Sequence, residues 1–324
     1  MRRVMAVLTL LCASCVNRTE NLDYSTNASV ELEIPEMVTV YGQNEGKNTE
    51  NDSEKGNIVQ QTYNGNTSIV TSHEKPETYS DDNRSVSSRN NTNKDQISEA
   101  VFYIFDEKGL FVSKNAFIGP ENYKLEFKKN GRHSVYVLCN ISEFVDLPEA
   151  PSQDELESLM IPHRERYDRL PFAGKTEVNV TPGEKPAIKI KLDRINSAIR
   201  IENRSADKIA LNKVTVNGLP SYGNVFLTDT EAADVTYGES AEAETDADGN
   251  AVVYSFFVPD SKISNVRIEA EATIKETNES ATTVAPVTFI DRLEVGKQAT
   301  ALVGYLESGN LKIGSPDNWG NVGL

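Results

Sequence analysis

Apolar and polar residues alternate along much of this chain, and the alternation predicts short β-strands rather than long helices. The first such run is Ala28–Ile34, in which every second residue is apolar, and Pro35 ends it. Val30, Leu32 and Ile34 lie on one face of this first strand. A weaker run follows at Met37–Tyr41.

Further strand-like runs follow the same pattern, and turn residues separate many of them. In the first part of the chain they are Ala100–Asp106, Leu110–Val112, Tyr123–Phe127, His133–Ile141, Glu177–Val180 and Ala187–Leu192. In the second part they are Ala198–Glu202, Lys213–Val216, Val225–Leu227, Ala251–Val258, Val266–Ile274 and Val284–Ile290. One short helix is predicted after Ser152, because Ser152 and Glu155 have the spacing of a capping box and Pro162 ends the apolar run.

Two stretches interrupt the strand pattern. Residues 41–96 are dominated by Asn, Ser, Thr and charged residues, so we expect a disordered insertion there. Residues 228–251 are strongly acidic, and we expect a solvated loop. Antiparallel strands at short spacing with a single helix predict an all-β fold of two β-sandwiches, one over residues 28–195 and one over residues 196–324.

The N-terminus has the pattern of an export signal, with a basic start and an apolar run from Val4 to Ala13. That run is shorter than the about 20 apolar residues needed to span a bilayer. Residues 12–15 resemble a bacterial lipobox, although Cys12 stands where Leu is usual. Residues 1–14 would then be a signal peptide, Cys15 the lipidated N-terminus, and residues 15–27 a flexible tether. The alternative is a plain secretory signal cut near Ala13, which leaves Cys15 as a free thiol.

Composition excludes several classes of function. The chain has 33 Lys and Arg against 49 Asp and Glu, a formal net charge of −16, and this surface repels phosphate backbones. We therefore expect no nucleic-acid partner. Three cysteines and three scattered histidines supply neither a disulfide framework nor a metal site. The sequence predicts no enzyme activity, no metal and no cofactor, and it points to attachment and assembly instead.

Two local patterns that suggest chemistry have simpler interpretations. Cys139 ends a strand-like apolar run, so a buried inert thiol is favoured over a nucleophile. Residues 246–249 have part of the spacing of a calcium loop, but Ser255 stands where the bidentate Glu belongs. An Asp-Gly hairpin turn is therefore favoured.

Four segments carry a resemblance to a known family. They are Asn27–Ile34, Ile97–Phe111, Gly131–Asn140, and Leu170–Lys175 with Ile188–Ile199, which includes Arg194. The chain resembles the Bacteroidales fimbrillin family, which comprises FimA-type and Mfa-type pilus subunits and their membrane anchors. The resemblance covers residues 28–40 and 97–205, and beyond residue 205 only the architecture matches.

The resemblance implies two tandem transthyretin-like β-sandwich domains with one short helix, and a polymer built by exchange of strands between subunits. In that scheme the first strand, with Val30, Leu32 and Ile34, is displaced after export, and a strand of another subunit fills the opened groove. The implied donor strands lie in residues 301–324. Their candidate residues are Leu302, Tyr305, Leu311, Ile313 and Trp319. For Trp319 the alternative is that it caps its own domain.

The resemblance also implies cleavage after a basic residue that follows the first strand. Arg84 and Arg89, in the insertion, are the candidate sites for a trypsin-like or arginine-specific protease. They lie farther from the strand than the family's site does. An anchor subunit, which keeps its lipid and its first strand, is compatible with this long insertion.

The sequence therefore predicts a structural fimbrial subunit or membrane anchor that supports adhesion at the cell surface. Its expected partners are other fimbrial subunits and the outer membrane, the latter through the lipid on Cys15, and the adhesion target is left open. The alternative is a surface glycan-binding β-sandwich lipoprotein, which the single Trp and the 7% aromatic content disfavour. A secreted hydrolase is a further alternative, but no carboxylate pair or triad stands out.

Overall fold

The computed structural model describes residues 25–40, 58–63, 66–71, 96–119, 123–226, 235–246, 248–316 and 319. The regular structure of these residues is almost entirely β-strand, with two helices of four or five residues. The prediction of an all-β fold is therefore confirmed.

Among the described residues, twelve strands lie in the first half of the chain, taken here as the part up to residue 195, and nine lie in the second half, from residue 196 on. The first twelve are β1 (Thr26–Glu33), β2 (Val38–Val40), β3 (Ile58–Tyr63), β4 (Asn66–Thr71), β5 (Glu99–Asp106), β6 (Phe111–Ile118), β7 (Tyr123–Phe127), β8 (Gly131–Cys139), β9 (Met160–Pro162), β10 (Phe172–Val180), β11 (Ala187–Lys191) and β12 (Asp193–Arg194). The others are β13 (Ser197–Asn203), β14 (Ile209–Pro220), β15 (Tyr222–Asn224), β16 (Tyr237–Thr245), β17 (Ala251–Ser255), β18 (Arg267–Ile274), β19 (Glu279–Pro286), β20 (Lys297–Tyr305) and β21 (Leu311–Gly314). The helices are α1 (Gln153–Glu157) and α2 (Asp260–Ile263).

Two sheets enclose the hydrophobic core of the first half. A five-stranded antiparallel sheet has the order β12-β10-β8-β5-β6, and a three-stranded sheet has the order β11-β1-β7. Aromatic rings join the two layers, since Phe102 of β5 lies 5.4 Å from Tyr123 of β7, measured between ring centroids. Side chains on both faces of β5 and β8 are buried, which explains why these strands are nearly continuous apolar runs.

The second half is organised around one sheet with the order β19-β18-β14-β16-β17-β13-β20-β2, and β21 also pairs with β20. It encloses a separate core of Val, Ile, Leu and Ala side chains. The register of β14 against β16 shifts between Asn217 and Leu219, so Gly218 is a bulge residue, and it shifts again between Leu219 and Pro220. Gly218 has a φ of +81°, and a Cβ atom there would collide with the backbone carbonyl of Asn265. Only glycine fits at position 218 without strain.

The acidic stretch of the second half contains a strand, and the expected solvated loop is wrong for this part. β16 lies between β14 and β17, with Ala241 and Ala243 buried against the core. Glu242, between them, points outward and forms ion pairs with Lys213 and Arg166. Small alanines alternate with carboxylates here, so the strand satisfies the period of two without large apolar residues.

The insertion also departs from expectation. β3 and β4 form an antiparallel hairpin in the segment that was expected to be disordered, so that expectation fails for these twelve residues. The remaining residues of that segment, up to residue 95, lie outside the described residues. In the second half, the strand expected at Val225–Leu227 is found earlier, as β15, and β19 begins before the expected Val284.

The predicted helix is confirmed as α1. The Ser152 hydroxyl accepts a hydrogen bond from the backbone N–H of Glu155 at 3.2 Å, and the Ser152 backbone N–H donates to the Glu155 carboxylate at 2.8 Å. This is the reciprocal pattern of a capping box. Leu156 is buried in the first core, so the short helix is held by packing as well as by its cap.

Candidate functional site

The first strand, β1, occupies the middle of its sheet. It pairs in parallel with β11 over Ser29–Glu33 and antiparallel with β7 over Thr26–Val30. Ala28 and Val30 are buried in the core, and Leu32 and Ile34 are half-buried against it. The sequence located this strand and its core face, but it missed Thr26 and Ala28 as buried members.

One half of β1 has a strand partner on one side only, within the described part of the chain. β7 begins at Tyr123, opposite Val30, whereas β11 continues beside β1 to Glu33. An open groove of about 1030 Å³ lies along this half. Its apolar lining includes Leu32, Ile34, Ile97, Ile118 and Ile188. Ile118 is 87% exposed, so the groove presents an apolar rim to solvent.

The segment after β1 is held by a buried arginine. The Nε atom of Arg194 donates a hydrogen bond to the backbone carbonyl of Pro35 at 2.8 Å. The guanidinium carbon lies 5.3 Å from the centre of the Phe172 ring, which is a cation–π distance. Arg194 thereby fixes the point at which the chain leaves the first sandwich.

The next strand, β2, does not belong to the first sandwich. It pairs in parallel with β20 of the second sheet, with Val38 opposite Lys297. The backbone N–H of Val38 donates to the carbonyl of Gly296 at 3.2 Å, and the Gln298 side chain donates to the Thr39 hydroxyl at 3.4 Å. Residues 38–40 therefore lie with the second half, although the sequence grouped them with residues 28–195.

The candidate donor residues divide between two positions. Leu302 and Tyr305 lie in β20, which pairs with β13 along Ala198–Asn203 and so lies inside its own sheet. Leu311 and Ile313 lie in β21, which pairs only with β20 in the described part of the chain. β20 cannot leave without opening the second core, whereas β21 is a short strand at an edge.

Trp319 packs against its own chain. A Cβ atom on Gly304 would lie 2.6 Å from Cζ2 of the indole, so the ring rests directly on the backbone of β20. The Lys312 ammonium lies 5.0 Å from the ring centroid. In this arrangement Trp319 covers its own domain, which is the alternative to its role as a donor residue.

Several predicted residues lie outside the described part of the chain. These are the lipidation candidate Cys15 and the cleavage candidates Arg84 and Arg89. The predicted signal peptide and most of the tether also lie outside it. These assignments stay predictions.

A junction between the two halves was not predicted from the sequence. β9 pairs with β15, and the backbone N–H of His163 donates to the carbonyl of Ser221 at 2.8 Å. Its ring atom Nε2 lies 3.2 Å from the carbonyl oxygen of Ser240. Burial lowers the pKa of His163. Tyr167 packs edge-to-face on Phe256 with ring centroids 6.3 Å apart, and burial raises its pKa to about 12.

The two local patterns that suggested chemistry have structural roles. Cys139 is buried, and desolvation raises the pKa of its thiol far above the ordinary range, as expected of an inert thiol. The Asp246 carboxylate accepts hydrogen bonds from the backbone N–H groups of Asp248 and Asn250 at 3.0 and 2.8 Å. This is the predicted hairpin turn, between β16 and β17. Among the described residues, no group of three or more His, Cys, Asp or Glu side chains is placed to hold a metal ion.

Comparison with known proteins gives matches among solved structures. No protein-family model matches the chain, and no curated protein matches it. In the described residues, no helix has the length and apolar character required to cross a bilayer.

Three of the similar solved structures are described as fimbrial. The tip fimbrial protein Mfa3 from Porphyromonas gingivalis, with a C-terminal truncation, has a TM-score of 0.49 at 12% identity and covers 68% of this chain and 94% of its own. A fimbrial assembly protein from Parabacteroides distasonis has a TM-score of 0.43 at 14% identity, and the match covers 67% of this chain and 87% of that protein. The fimbrial anchor protein Mfa2 from Porphyromonas gingivalis has a TM-score of 0.36 at 12% identity, and the match covers 67% of this chain and 87% of that protein.

Proposed function

We propose that this chain is a structural subunit of a fimbrium or its membrane anchor, exported as a lipoprotein and assembled when a strand of another subunit takes the place of β1. One observation carries the proposal. β1 lies in the middle of a sheet, yet it precedes every other described strand in the sequence. A single cut in the chain after β1 therefore detaches a central strand.

Loss of β1 would leave a defined acceptor. β7 and β11 would both lose their pairing partner, and the core would lose Ala28 and Val30. Burying one Val or Leu side chain stabilises a fold by about 1.5–3 kcal/mol, so an empty groove is strongly unfavourable. An incoming strand with apolar residues at alternate positions restores both the hydrogen bonds and the burial.

The donor in this proposal is the C-terminal segment with Leu311, Ile313 and Trp319. β20, with Leu302 and Tyr305, is left out because it is a central strand of its own sheet. The division into sandwiches at 28–195 and 196–324 is kept, with β2 assigned to the second. The protein acts by assembly at the cell surface and catalyses no reaction.

The proposal is tested by brief treatment of the purified full chain with an arginine-specific protease, which leaves the lysines of residues 41–96 uncut, and mass and polymer size are followed together. We expect cleavage at Arg84 or Arg89 and then ladders of polymers on mildly heated gels. The matched control is the double variant Arg84→Ala, Arg89→Ala, which should stay uncut between β2 and β5 and remain monomeric. A chain that is cut at these residues yet stays monomeric contradicts assembly by strand exchange. Saturable binding of a polysaccharide by that monomer would favour the glycan-binding alternative.

Lipidation is tested separately. Cells that express the full chain are labelled with an alkyne palmitate analogue, and the label is detected on the purified protein. We expect labelling of the native chain and none of the Cys15→Ala variant. Equal labelling of both would contradict attachment at Cys15.

A further inference from the structure

The N-terminal segment crosses from one half of the molecule to the other. β1 completes the three-stranded sheet of the first half, and β2, which begins five residues after β1 ends, covers part of β20 in the second. Arg194 holds the connection at Pro35. One continuous stretch, residues 26–40, therefore covers a strand edge in each half.

We infer that residues 26–40 are exchanged as one unit, and that assembly fills both of the strand edges they cover with one extended segment of another fimbrial subunit. This inference rests on the proposed function, because both candidate cleavage sites follow β2 in the sequence. A cut there detaches β2 together with β1. The acceptor surface then has two parts, and the second is the edge of β20 at Lys297–Ala299.

The neighbouring strand of this chain, β21, does not cover the second edge. β21 covers β20 only over Leu302–Tyr305, and it ends at Gly314, opposite Leu302. Pro316 follows shortly after and has no N–H to donate to a continued ladder. Once β2 is gone, β20 keeps β13 on one side at Gln298 and Ala299, and its other side is left without a strand partner among the described residues.

The present occupant defines the chemistry of the partner. The segment must contain an extended run of about eight residues, a connection of about four, and a second extended run of about three, all in one direction. Its first run needs small or branched apolar side chains where Ala28, Val30 and Leu32 now lie. Its connection must present a carbonyl oxygen to Nε of Arg194.

The test uses the full chain with a site for a sequence-specific protease inserted after residue 44. After cleavage and removal of the N-terminal piece, three synthetic peptides are titrated. They correspond to residues 25–40, to residues 25–36, and to residues 25–40 with Val38→Pro. The matched control is the same long peptide with Thr39→Pro. The Val38 N–H donates to Gly296, and in a parallel ladder the Thr39 N–H points away from β20.

We expect the long peptide to bind at least tenfold tighter than the short one and to slow hydrogen exchange at the amide of Gln298, whose N–H faces β2 in the parallel ladder, whereas the Lys297 N–H donates to Glu294. Val38→Pro should lower the affinity to that of the short peptide, and Thr39→Pro should change it much less. Equal affinities for the long and short peptides, or protection of the Gln298 amide without any peptide, would overturn the inference. Failure of both peptides to bind would overturn the proposed strand replacement as well.

A second measurement covers a cleaved chain that does not stay folded. In the uncleaved protein, Val38→Pro should speed hydrogen exchange at the amide of Gln298 while the amides of β7 and β11 stay protected. Thr39→Pro should leave both regions close to the native pattern. Unchanged exchange at β20 in the Val38→Pro variant would show that β2 does not cover this edge, which also overturns the inference.

Discussion

Arg194 and Pro35 are joined by a 2.8 Å hydrogen bond from Nε to the backbone carbonyl oxygen, although 159 positions separate them in the sequence. Arg194 is only 6% exposed. A buried guanidinium is stable only when its N–H groups find acceptors, so this bond contributes to the fold as well as to the course of the chain. It links the end of the first sandwich to the segment that we propose to be exchanged.

Replacing Arg194 by Ala is expected to lower the free energy of unfolding by about 2–3 kcal/mol, because a hydrogen bond from a charged donor and the stacking on Phe172 are lost. Urea unfolding followed by circular dichroism measures the change. The matched control is Arg292→Ala, since Arg292 is exposed and pairs only locally with Glu294. That variant should change stability by less than about 0.5 kcal/mol. Equal losses in the two variants would contradict a special role for Arg194.

Asn140 ties three segments together. It is fully buried, with a φ of 58°, and its amide oxygen accepts hydrogen bonds from the backbone N–H and the hydroxyl of Ser98, both at 2.9 Å. Its amide nitrogen donates to the carbonyls of Gln96 and Leu170, also at 2.9 Å. We expect Asn140→Ala to destabilise the protein by about 3–4 kcal/mol, since buried partners lose their bonds and Ala strains the left-handed backbone.

Asn278→Ala is the control for the backbone part of that loss. Asn278 has the same φ of 58° but is exposed, so the substitution should lower the free energy of unfolding by only about 1 kcal/mol. Thermal and urea unfolding of both variants gives the comparison. If Asn140→Ala were no worse than Asn278→Ala, the amide network of Asn140 would have no net effect on stability.

Tyr167 makes stability depend on alkaline pH. Burial raises its pKa to about 12, whereas an unfolded tyrosine titrates near 10. Above pH 10 the unfolded state loses the proton first, so native stability is complete below pH 10 and falls as pH rises toward 12. In Tyr167→Phe this part of the fall should be absent, a difference of about 2 kcal/mol across the interval.

The measurement for Tyr167 is the free energy of unfolding in urea between pH 9 and pH 12, for the native chain and for Tyr167→Phe. Because the other buried tyrosines are present in both proteins, the difference between the two curves isolates Tyr167. Tyr222→Phe, at an exposed position, is the control and should follow the native curve. Parallel curves for the native chain and Tyr167→Phe would contradict the prediction.

The bulge at Gly218 predicts a sharp contrast between two glycines of neighbouring strands. Gly218→Ala should destabilise the protein by more than about 3 kcal/mol, because the new Cβ collides with the Asn265 carbonyl and the φ of +81° is unfavourable for Ala. Gly238→Ala in β16 is the matched control, since a Cβ there meets no atom within 4 Å. It should be neutral or stabilising by a few tenths of a kcal/mol. Thermal unfolding that ranks the variants the other way would contradict this account.

The sequence predicted an element correctly where the formation of that element depends on its own residues. The alternation of Val30, Leu32 and Ile34 predicted β1 and its core face, and the Ser152–Glu155 pair predicted α1. The buried state of Cys139 followed from the apolar run that it ends. In each case the side-chain period or the cap is set within a few residues of chain.

Other features depend on partners that the local pattern does not reveal. β16 alternates alanine with glutamate, and it becomes a strand because β14 and β17 lie on either side and Lys213 and Arg166 pair with Glu242. In isolation such a segment buries too little apolar surface to be recognised as a strand. The hairpin of β3 and β4 is also weakly patterned, and each of these two strands pairs with the other.

The sequence alone determined the all-β character of the fold, the position of β1 and the face that β1 buries, because those properties follow from the two-residue period and from turn residues. The tertiary structure decided which strands pair. It placed β2 on β20 of the second half, brought Arg194 to Pro35, and kept β20 inside its own sheet. Pairing between distant strands depends on the shape and hydrogen bonding of the whole sheet, and a local pattern carries no information about either.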